Sequence, residues 1–463
     1  MKKLNKLNLV SLGDKEFSKQ ELINMKQICV QKTLGIAKSI RAYSLQPKHC
    51  RHSIIILNYL FISLILLGCK LNHDQNKYKI EKGDSIQSPM IIDIARDFNN
   101  EREFRLSEIA YDIEYIKLES TPESLIGHGV IEMIVTDDYI YILNLNRLIQ
   151  FDRTGKFIKQ IGREGRGPGE VHGYRSITMD KENNILYVMA NHKYEVLKYC
   201  AITGDYLRNF PSSSYIGFNQ YNGAFQLLGN GTFAGLSLWM GQYQPDYTLI
   251  EIFDDEGNIL KNKKSHLFSY QDNDKIEKRH HVATHMTWIF EDQLRLFEGI
   301  NDTIYKLVDL ELEPAYIFNL GKYKGPFDDM VGERRERYIR FGSFRETKSA
   351  LYFLYRYNNE QITAKYSKDN DRIVRLLNPK GESNKIFNDL DGGLSIWPYY
   401  YEGQLENEWY MIVDAINMKQ NLSPEYLKES ESIYPEKKDD LKEFIEELSI
   451  EDNPVIMVVK LHK

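Results

Sequence analysis

A short polar turn followed by alternating β-branched and aromatic residues recurs six times along this 463-residue chain. The copies are Asp137-Asp138 then YIYIL, Asn183-Asn184 then ILYVM, and Asn230-Gly231 then TFAGLSLW. They continue with Glu291-Asp292 then QLRLF, Thr347-Lys348-Ser349 then ALYFLYRY, and Glu406-Asn407-Glu408 then WYMIV. Counted from Tyr139, Ile185, Thr232, Leu294, Leu351 and Trp409, the spacings are 46, 47, 62, 57 and 58, averaging 54. Period-2 alternation after a turn predicts a strand, and a repeat of this length holds one four-stranded sheet. Such a sheet cannot bury both of its apolar faces alone, so six in series are best satisfied by a ring. The expected fold is all-β, a six-bladed β-propeller of four-stranded antiparallel blades.

A second marker keeps step with the first. Phe151 to Lys156, Tyr199 to Asp205 and Phe253 to Asn258 each place a Gly (Gly155, Gly204, Gly257) where a hairpin needs positive φ. Asn301-Asp302-Thr303 and Lys368-Asp369-Asn370-Asp371 read as degenerate later copies of the same turn. Closure of the ring follows from the ends of the body. The β-prone runs Ile113 to Leu118 and Val455 to Leu461 are expected to share one blade, which removes open edges. Between Trp409 and Val455 lies a helical insertion: Ser423 is placed to N-cap with Pro424 behind it, and Leu441, Phe444, Ile445 and Leu448 have helical spacing. It reads as a cap over the last blade, with a partner-binding helix as the alternative.

Charge divides the chain. Residues 1–68 hold eleven Lys/Arg and three Asp/Glu, a net of +8, and the remainder holds 49 and 63, a net of −14. A body that acidic repels phosphate backbones, which argues against nucleic acid as a partner. Apolar content of 42% with 27% charged residues excludes a disordered or collagen-like chain and a polytopic membrane protein.

The basic leader ends in the one long apolar run, Ile54 to Gly68, followed directly by Cys69. At 15 residues it is shorter than the roughly 20 a bilayer-spanning helix needs and matches the apolar core of an export signal. Leu66-Leu67-Gly68-Cys69 is similar to a bacterial lipobox, in which the cysteine thiol takes a diacylglycerol. An uncleaved anchor helix is the alternative. The leader before the apolar run is some fifty residues long, which points to a start downstream of Met1, at Met25. The organisation expected is therefore a leader (1–68), a lipid-anchored tether with a leading strand (69–106) and the propeller (107–463). Loss of Cys29 and Cys50 with the leader leaves Cys69 for lipid and Cys200 as a lone thiol, so no disulfide framework is expected.

The stretch 151–171, FDRTGKFIKQIGREGRGPGEV, resembles a hallmark of six-bladed β-propeller lipoproteins of Bacteroidetes, relatives of the NHL-repeat propellers. MIIDIARDFNNEREFRLSEIAYDIEYIKLES (90–120) resembles that family's first strand, NDLDGGLSIWP (388–398) its last blade, and DNPVIMVVKLHK (452–463) its closing strand. The resemblance spans about residues 90 to 463. It implies an extracytoplasmic binding or scaffolding role in the cell envelope, often beside glycan or nutrient uptake systems, with an outer-membrane anchor whose periplasmic or surface face stays open. Expected partners are the membrane, through the lipid, and an envelope protein or glycan. The competing class is an NHL-like hydrolase or lyase with a metal in the central channel.

Candidate chemistry is sparse. The loop Gly162-Arg163-Glu164-Gly165-Arg166-Gly167-Pro168-Gly169-Glu170 invites a phosphate reading, but Pro168 lacks a donor, Glu170 repels phosphate and no helical pattern follows. It reads as an inter-blade loop with glycines at positive φ and Arg163 or Arg166 paired with Glu170. His281 and His285 share a face at either helical or strand spacing and are the weak candidates for a divalent metal; surface or hydrogen-bonded histidines are the plainer reading, and no cofactor is expected. Trp397, Tyr399 and Tyr400 suit stacking on a sugar ring, against the alternative that aromatics fill the wedges between blades. Asp328-Asp329, Asp389, Asp391 and Asp439-Asp440 are expected in solvated turns or caps, so no general acid and base stands out and no catalytic residue is named.

Overall fold

The computed structural model describes residues 88–463 apart from 128, 131, 145–146, 171, 191–194, 213–224, 237–247, 265–284, 300, 327–328, 330–332, 400–406 and 463. The strands form six sheets arranged as the blades of a propeller. Blade 1 holds Glu132–Val135, Tyr139–Leu143, Leu148–Asp152 and Phe157–Ile161; blade 2 holds Tyr174–Asp180, Ile185–Ala190, Glu195–Cys200 and Tyr206–Pro211. Blade 3 holds Phe225–Gly229, Thr232–Leu236, Thr248–Asp254 and Ile259–Lys264; blade 4 holds Met286–Phe290, Gln293–Phe297, Thr303–Val308 and Glu311–Asn319. Blade 5 holds Arg340–Glu346, Ala350–Tyr357, Glu360–Ser367 and Arg372–Leu377. In blade 6, Glu408–Val413 and Ala110–Lys117 flank Val455–Leu461, both antiparallel to it, and a Tyr399↔Tyr410 bridge marks the innermost position. The two ends of the body thus close the ring in one blade, as their β-prone runs require. The six repeated runs are the second strands, starting at Tyr139, Ile185 and Thr232 as expected and one residue early at Gln293, Ala350 and Glu408.

Alternation along these strands builds the core as seams between blades. In Tyr139–Leu143, Ile140 and Ile142 pack toward blade 6, with Tyr410, Ile456 and Val458. The intervening Tyr141 and Leu143 pack toward blade 2, with Tyr174, Val188 and Tyr199. A strand used on both faces reads as continuously apolar, which is why YIYIL has no polar side.

The hairpins between third and fourth strands show why Gly recurs. In blade 1, Asp152 Oδ1 accepts from the backbone N–H of Thr154 at 2.8 Å and of Lys156 at 3.0 Å, and Gly155 sits at φ 89°. A Cβ on Gly155 would lie 2.2 Å from the Lys117 carbonyl oxygen of blade 6. Asp254 and Gly257 repeat the arrangement in blade 3. Lys368 to Asp371 forms the corresponding turn of blade 5, whereas Asn301-Asp302-Thr303 lies between the second and third strands of blade 4. There the third-to-fourth turn is Asp309-Leu310, at φ 49° and 64°. A leucine in left-handed conformation carries no turn signature, so the sequence pointed to the wrong loop.

Two further differences concern the rim and the last blade. Met90–Asp93 adds a parallel fifth strand to blade 4 and Glu101–Glu103 one to blade 5, so the described part of the expected tether and leading-strand segment girdles the rim. Asp97 fastens it, its Oδ2 accepting from the Ile373 N–H at 3.0 Å. The insertion in blade 6 consists of helices Ala415–Asn421, Pro424–Glu429 and Pro435–Glu447. Ser423 Oγ accepts from the Tyr426 N–H at 3.2 Å as the expected N-cap. Leu441, Ile445 and Leu448 pack with Met418, Leu427 and Val455, and Tyr115 and Val413 of the blade border the same cluster.

Candidate functional site

Strand alternation sorts the connections into two sets. In blades 1–5, the turns from first to second strand and from third to fourth strand lie at one end of the sheets, and none exceeds five residues. The opposite end receives the second-to-third turns and the blade-to-blade connections. Between described strands these include 162–173, 212–224, 265–285 and 320–339, and in blade 6 the helical insertion. Long connections on a rigid scaffold are where binding residues concentrate. The long-connection face is therefore the candidate site, and its described residues show which chemistry is already committed.

The Gly-rich loop joins blade 1 to blade 2 on this face. Arg163 Nε donates to Glu170 Oε1 at 2.6 Å, and the Gly167 N–H donates to Oε2 at 2.9 Å. The Gly167 N–H and then the Arg163 guanidinium hold the Glu170 carboxyl below the usual range. Gly162 (φ 64°) and Gly169 (φ 71°) lie against tyrosines: a Cβ would come within 2.7 Å of Tyr174 Oη at Gly162 and 2.6 Å of the Tyr206 ring at Gly169. Tyr199 Oη donates to the Gly169 carbonyl at 2.7 Å. Gly167 gives its N–H to a carboxylate and Pro168 has none, so the loop is an inter-blade brace with no phosphate cradle.

The segment from Asn388 to Trp397 corrects one expectation. Asp389 and Asp391 are buried under the helical insertion, where solvated turns were expected. Ser107 donates to Asp389 through its N–H at 2.9 Å and its hydroxyl at 2.6 Å. Tyr115 Oη donates to Asp391 Oδ2 at 2.7 Å, while Asn388 Nδ2 and the Gly393 N–H donate to Oδ1 at 2.7 and 2.8 Å. Burial pushes the Asp391 carboxyl up despite these donors. The Ile433 N–H on the Asp389 carbonyl (2.8 Å) and the Tyr434 N–H on the Leu390 carbonyl (3.1 Å) clamp the insertion over the segment. Both carboxylates serve the fold. Asp329 accepts from Tyr338 Oη at 3.0 Å, and Asp439 pairs with Lys442 on an exposed helical turn; Asp328 lies outside the described residues.

Trp397 is buried in the seam between blades 5 and 6, its Nε1 donating to Ser343 Oγ at 3.2 Å. Tyr399 packs against the same seam, and Tyr400 lies outside the described residues. An indole enclosed on all sides offers no face to a sugar ring, so at Trp397 the wedge-filling alternative holds. Tyr352 and Tyr355 are likewise buried, Tyr352 meeting Trp409 edge-on at 5.1 Å. His285 is buried, its Nδ1 accepting from the Gly299 N–H at 3.2 Å; His281 and Cys69 lie outside the described residues. Among the described residues no three His, Cys, Asp or Glu side chains converge as metal ligands. Hydrogen bonds from Thr203 hold the half-buried Cys200 thiol below its usual range.

An ionic knot escaped the sequence reading. Glu346, the fully buried last residue of the first strand of blade 5, accepts from Tyr316 Oη at 2.6 Å, Lys368 Nζ at 3.0 Å and Trp288 Nε1 at 3.1 Å, and Arg295 Nε lies 3.3 Å away. A lone Glu closing the run RFGSFRE gives no hint that its partners come from three strands of blade 4 and a turn of blade 5.

The sequence profile of DUF4934, a domain of unknown function, matches residues 89–460, and the chain belongs to that family. Among solved structures, a putative exported protein from Bacteroides fragilis NCTC 9343 superposes with a TM-score of 0.60 at 19% identity, covering 81% of this chain and all of its own. At that identity the likeness bears on the fold alone. A DUF4221 member from Bacteroides vulgatus ATCC 8482 matches with a TM-score of 0.42 at 11% identity, over 76% of this chain and 97% of its own. No curated protein matches the sequence.

Proposed function

We propose that this DUF4934 member is an extracytoplasmic propeller, anchored to an envelope membrane by lipid on Cys69, that recognises or scaffolds a partner with its long-connection face, in glycan or nutrient acquisition. The observation that carries the reading is the division of connections: in blades 1–5 one face has only tight turns, while the long segments between blades and the helical insertion lie on the other. Three described carboxylates on that face, Glu170, Asp389 and Asp391, are each held by intramolecular donors. That favours recognition through shape and loop contacts over acid–base chemistry. An export signal ending in Leu66-Leu67-Gly68-Cys69 supports the location, as does a related fold described as exported in Bacteroides fragilis.

Two measurements test the reading. Metabolic labelling with palmitate should mark the wild-type chain and vanish in Cys69→Ala; label that persists overturns the anchor. The mature protein should bind saturably to a glycan on an array or retain an envelope protein in a pull-down. Absence of both overturns the recognition role.

A further inference from the structure

The outermost strands of blades 1, 2 and 3 share one irregularity at one place. In blade 1 the register steps from Gln150↔Lys159 to Phe151↔Phe157, leaving Ile158 as an extra residue. Blade 2 steps from Lys198↔Arg208 to Tyr199↔Tyr206 around Leu207, and blade 3 from Ile252↔Lys261 to Phe253↔Ile259 around Leu260. Each extra residue stands three positions beyond the turn glycine, Gly155, Gly204 or Gly257. A β-bulge re-aims a side chain, and these three re-aim an aliphatic one outward: Ile158 is 40% exposed, Leu207 47% and Leu260 43%. Exposed edge strands ordinarily carry charge or proline at such points. Solvation alone does not select three large aliphatics at one repeated position.

The charge of these strands also departs from the rest of the body. They hold Lys159, Arg208, Lys261, Lys263 and Lys264 and no Asp or Glu, on a chain whose residues from 69 onward sum to −14. Arg208 pairs with Asp255 and Lys261 with Glu311, acids contributed by a turn and by the neighbouring blade. The other half of the rim is built differently, since the parallel strands Met90–Asp93 and Glu101–Glu103 cover the edges of blades 4 and 5. The chain reaches the rim at blade 4, beside blade 3, and Ile91 is 50% exposed there. Cys69 precedes Met90 by 21 residues, a reach of at most about 75 Å.

We propose that the rim of blades 1–3 rests on a lipid surface with anionic headgroups, the three bulge side chains entering the headgroup boundary and the lysines meeting the phosphates. The inference builds on the lipid anchor at Cys69. A strand-adding peptide is the poorer occupant, because each bulge interrupts the ladder such a peptide would extend. Rim contact leaves the long-connection face open to its own partner.

The test uses the mature, lipidated protein in vesicles of phosphatidylethanolamine and phosphatidylglycerol. In a Cys200→Ser background, single cysteines at Leu207→Cys, Leu260→Cys and, as a control on the covered half of the rim, Asp369→Cys carry an environment-sensitive fluorophore. Headgroup-quencher lipids should quench the probes at 207 and 260 at least about twofold more than the probe at 369. Adding Ile158→Asn and Leu260→Asn should reduce quenching at 207 while flotation persists. Flotation with equal quenching at all three sites overturns the rim contact alone. Failure to float overturns the anchor and, with it, this inference. Probes shielded in native envelopes but unquenched in protein-free vesicles identify a protein on the rim and also overturn it.

Discussion

The side-chain amide of Asn453 donates to the backbone carbonyl of Glu119 at 2.7 Å, joining positions 334 residues apart at the seam where the ring closes. The same side chain donates to the Ser124 carbonyl at 3.0 Å and accepts from the Ile126 N–H at 2.8 Å. It is buried, so removing it strands the Ser124 carbonyl and the Ile126 N–H away from water, while the Glu119 carbonyl keeps the Ser124 hydroxyl as a donor. Asn453→Ala should cost about 3 kcal/mol, since each stranded group costs about 1–3 and some relaxation is expected. Urea denaturation of the variant checks this; a loss below about 0.5 kcal/mol would mean that the latch is replaced by solvent.

Gly169 and Gly381 isolate packing from backbone strain. Both are left-handed, at φ 71° and 72°, but a Cβ on Gly169 would strike the Tyr206 ring at 2.6 Å while one on Gly381 meets nothing within 4 Å. Alanine at either site costs about 1–2 kcal/mol of conformational strain. Gly169→Ala should lose a further 1–3 kcal/mol or so to overpacking. Equal denaturation midpoints for the two variants would show that the loop moves freely off the tyrosines.

Glu346 holds two cations inside the seam between blades 4 and 5, Arg295 at 3.3 Å and Lys368 at 3.0 Å. Glu346→Gln keeps the shape and leaves both cations without their counter-charge, which should cost about 3–5 kcal/mol. Adding Lys368→Met removes one of those charges, and the double variant should recover part of the loss. Additive losses in the double-mutant cycle would show that the groups are not coupled.

The ring was legible because its signals are local. A period-2 run after a turn reports a second strand directly, as at Tyr139, and a Gly after an Asp reports a hairpin, as at Gly155. Information that depends on another blade was not legible. Glu346 looks like any strand-ending carboxylate until Arg295 arrives from a strand of blade 4 and Lys368 from a turn of blade 5, and Asp389 looks like a turn residue until the helical insertion covers it. Trp397 reads equally well as a stacking platform or a wedge, and only its enclosure by the seam between blades 5 and 6 decides. The added strands at Met90 and Glu101 are four and three residues long, too short for any alternation to show.

Asp391 makes stability depend on pH with a definite sign. Burial raises its carboxyl pKa in the folded chain above the ordinary 3.8, against the opposing bonds from Tyr115, Gly393 and Asn388. The unfolded chain therefore releases this proton at lower pH than the folded one. The stabilising contribution is full below the ordinary carboxylate value and is lost as pH rises toward the folded value, so at neutral pH the group weighs against the fold. Asp391→Asn keeps one acceptor oxygen for the Gly393 N–H and Asn388 Nδ2, and its own amide can donate to Tyr115 Oη. The variant should thus gain stability relative to wild type as pH is raised from about 4 to 8. Guanidinium denaturation of both proteins at the two pH values measures that difference; a gap that stays constant, or that closes toward pH 8, would show that the folded chain does not retain the proton on Asp391.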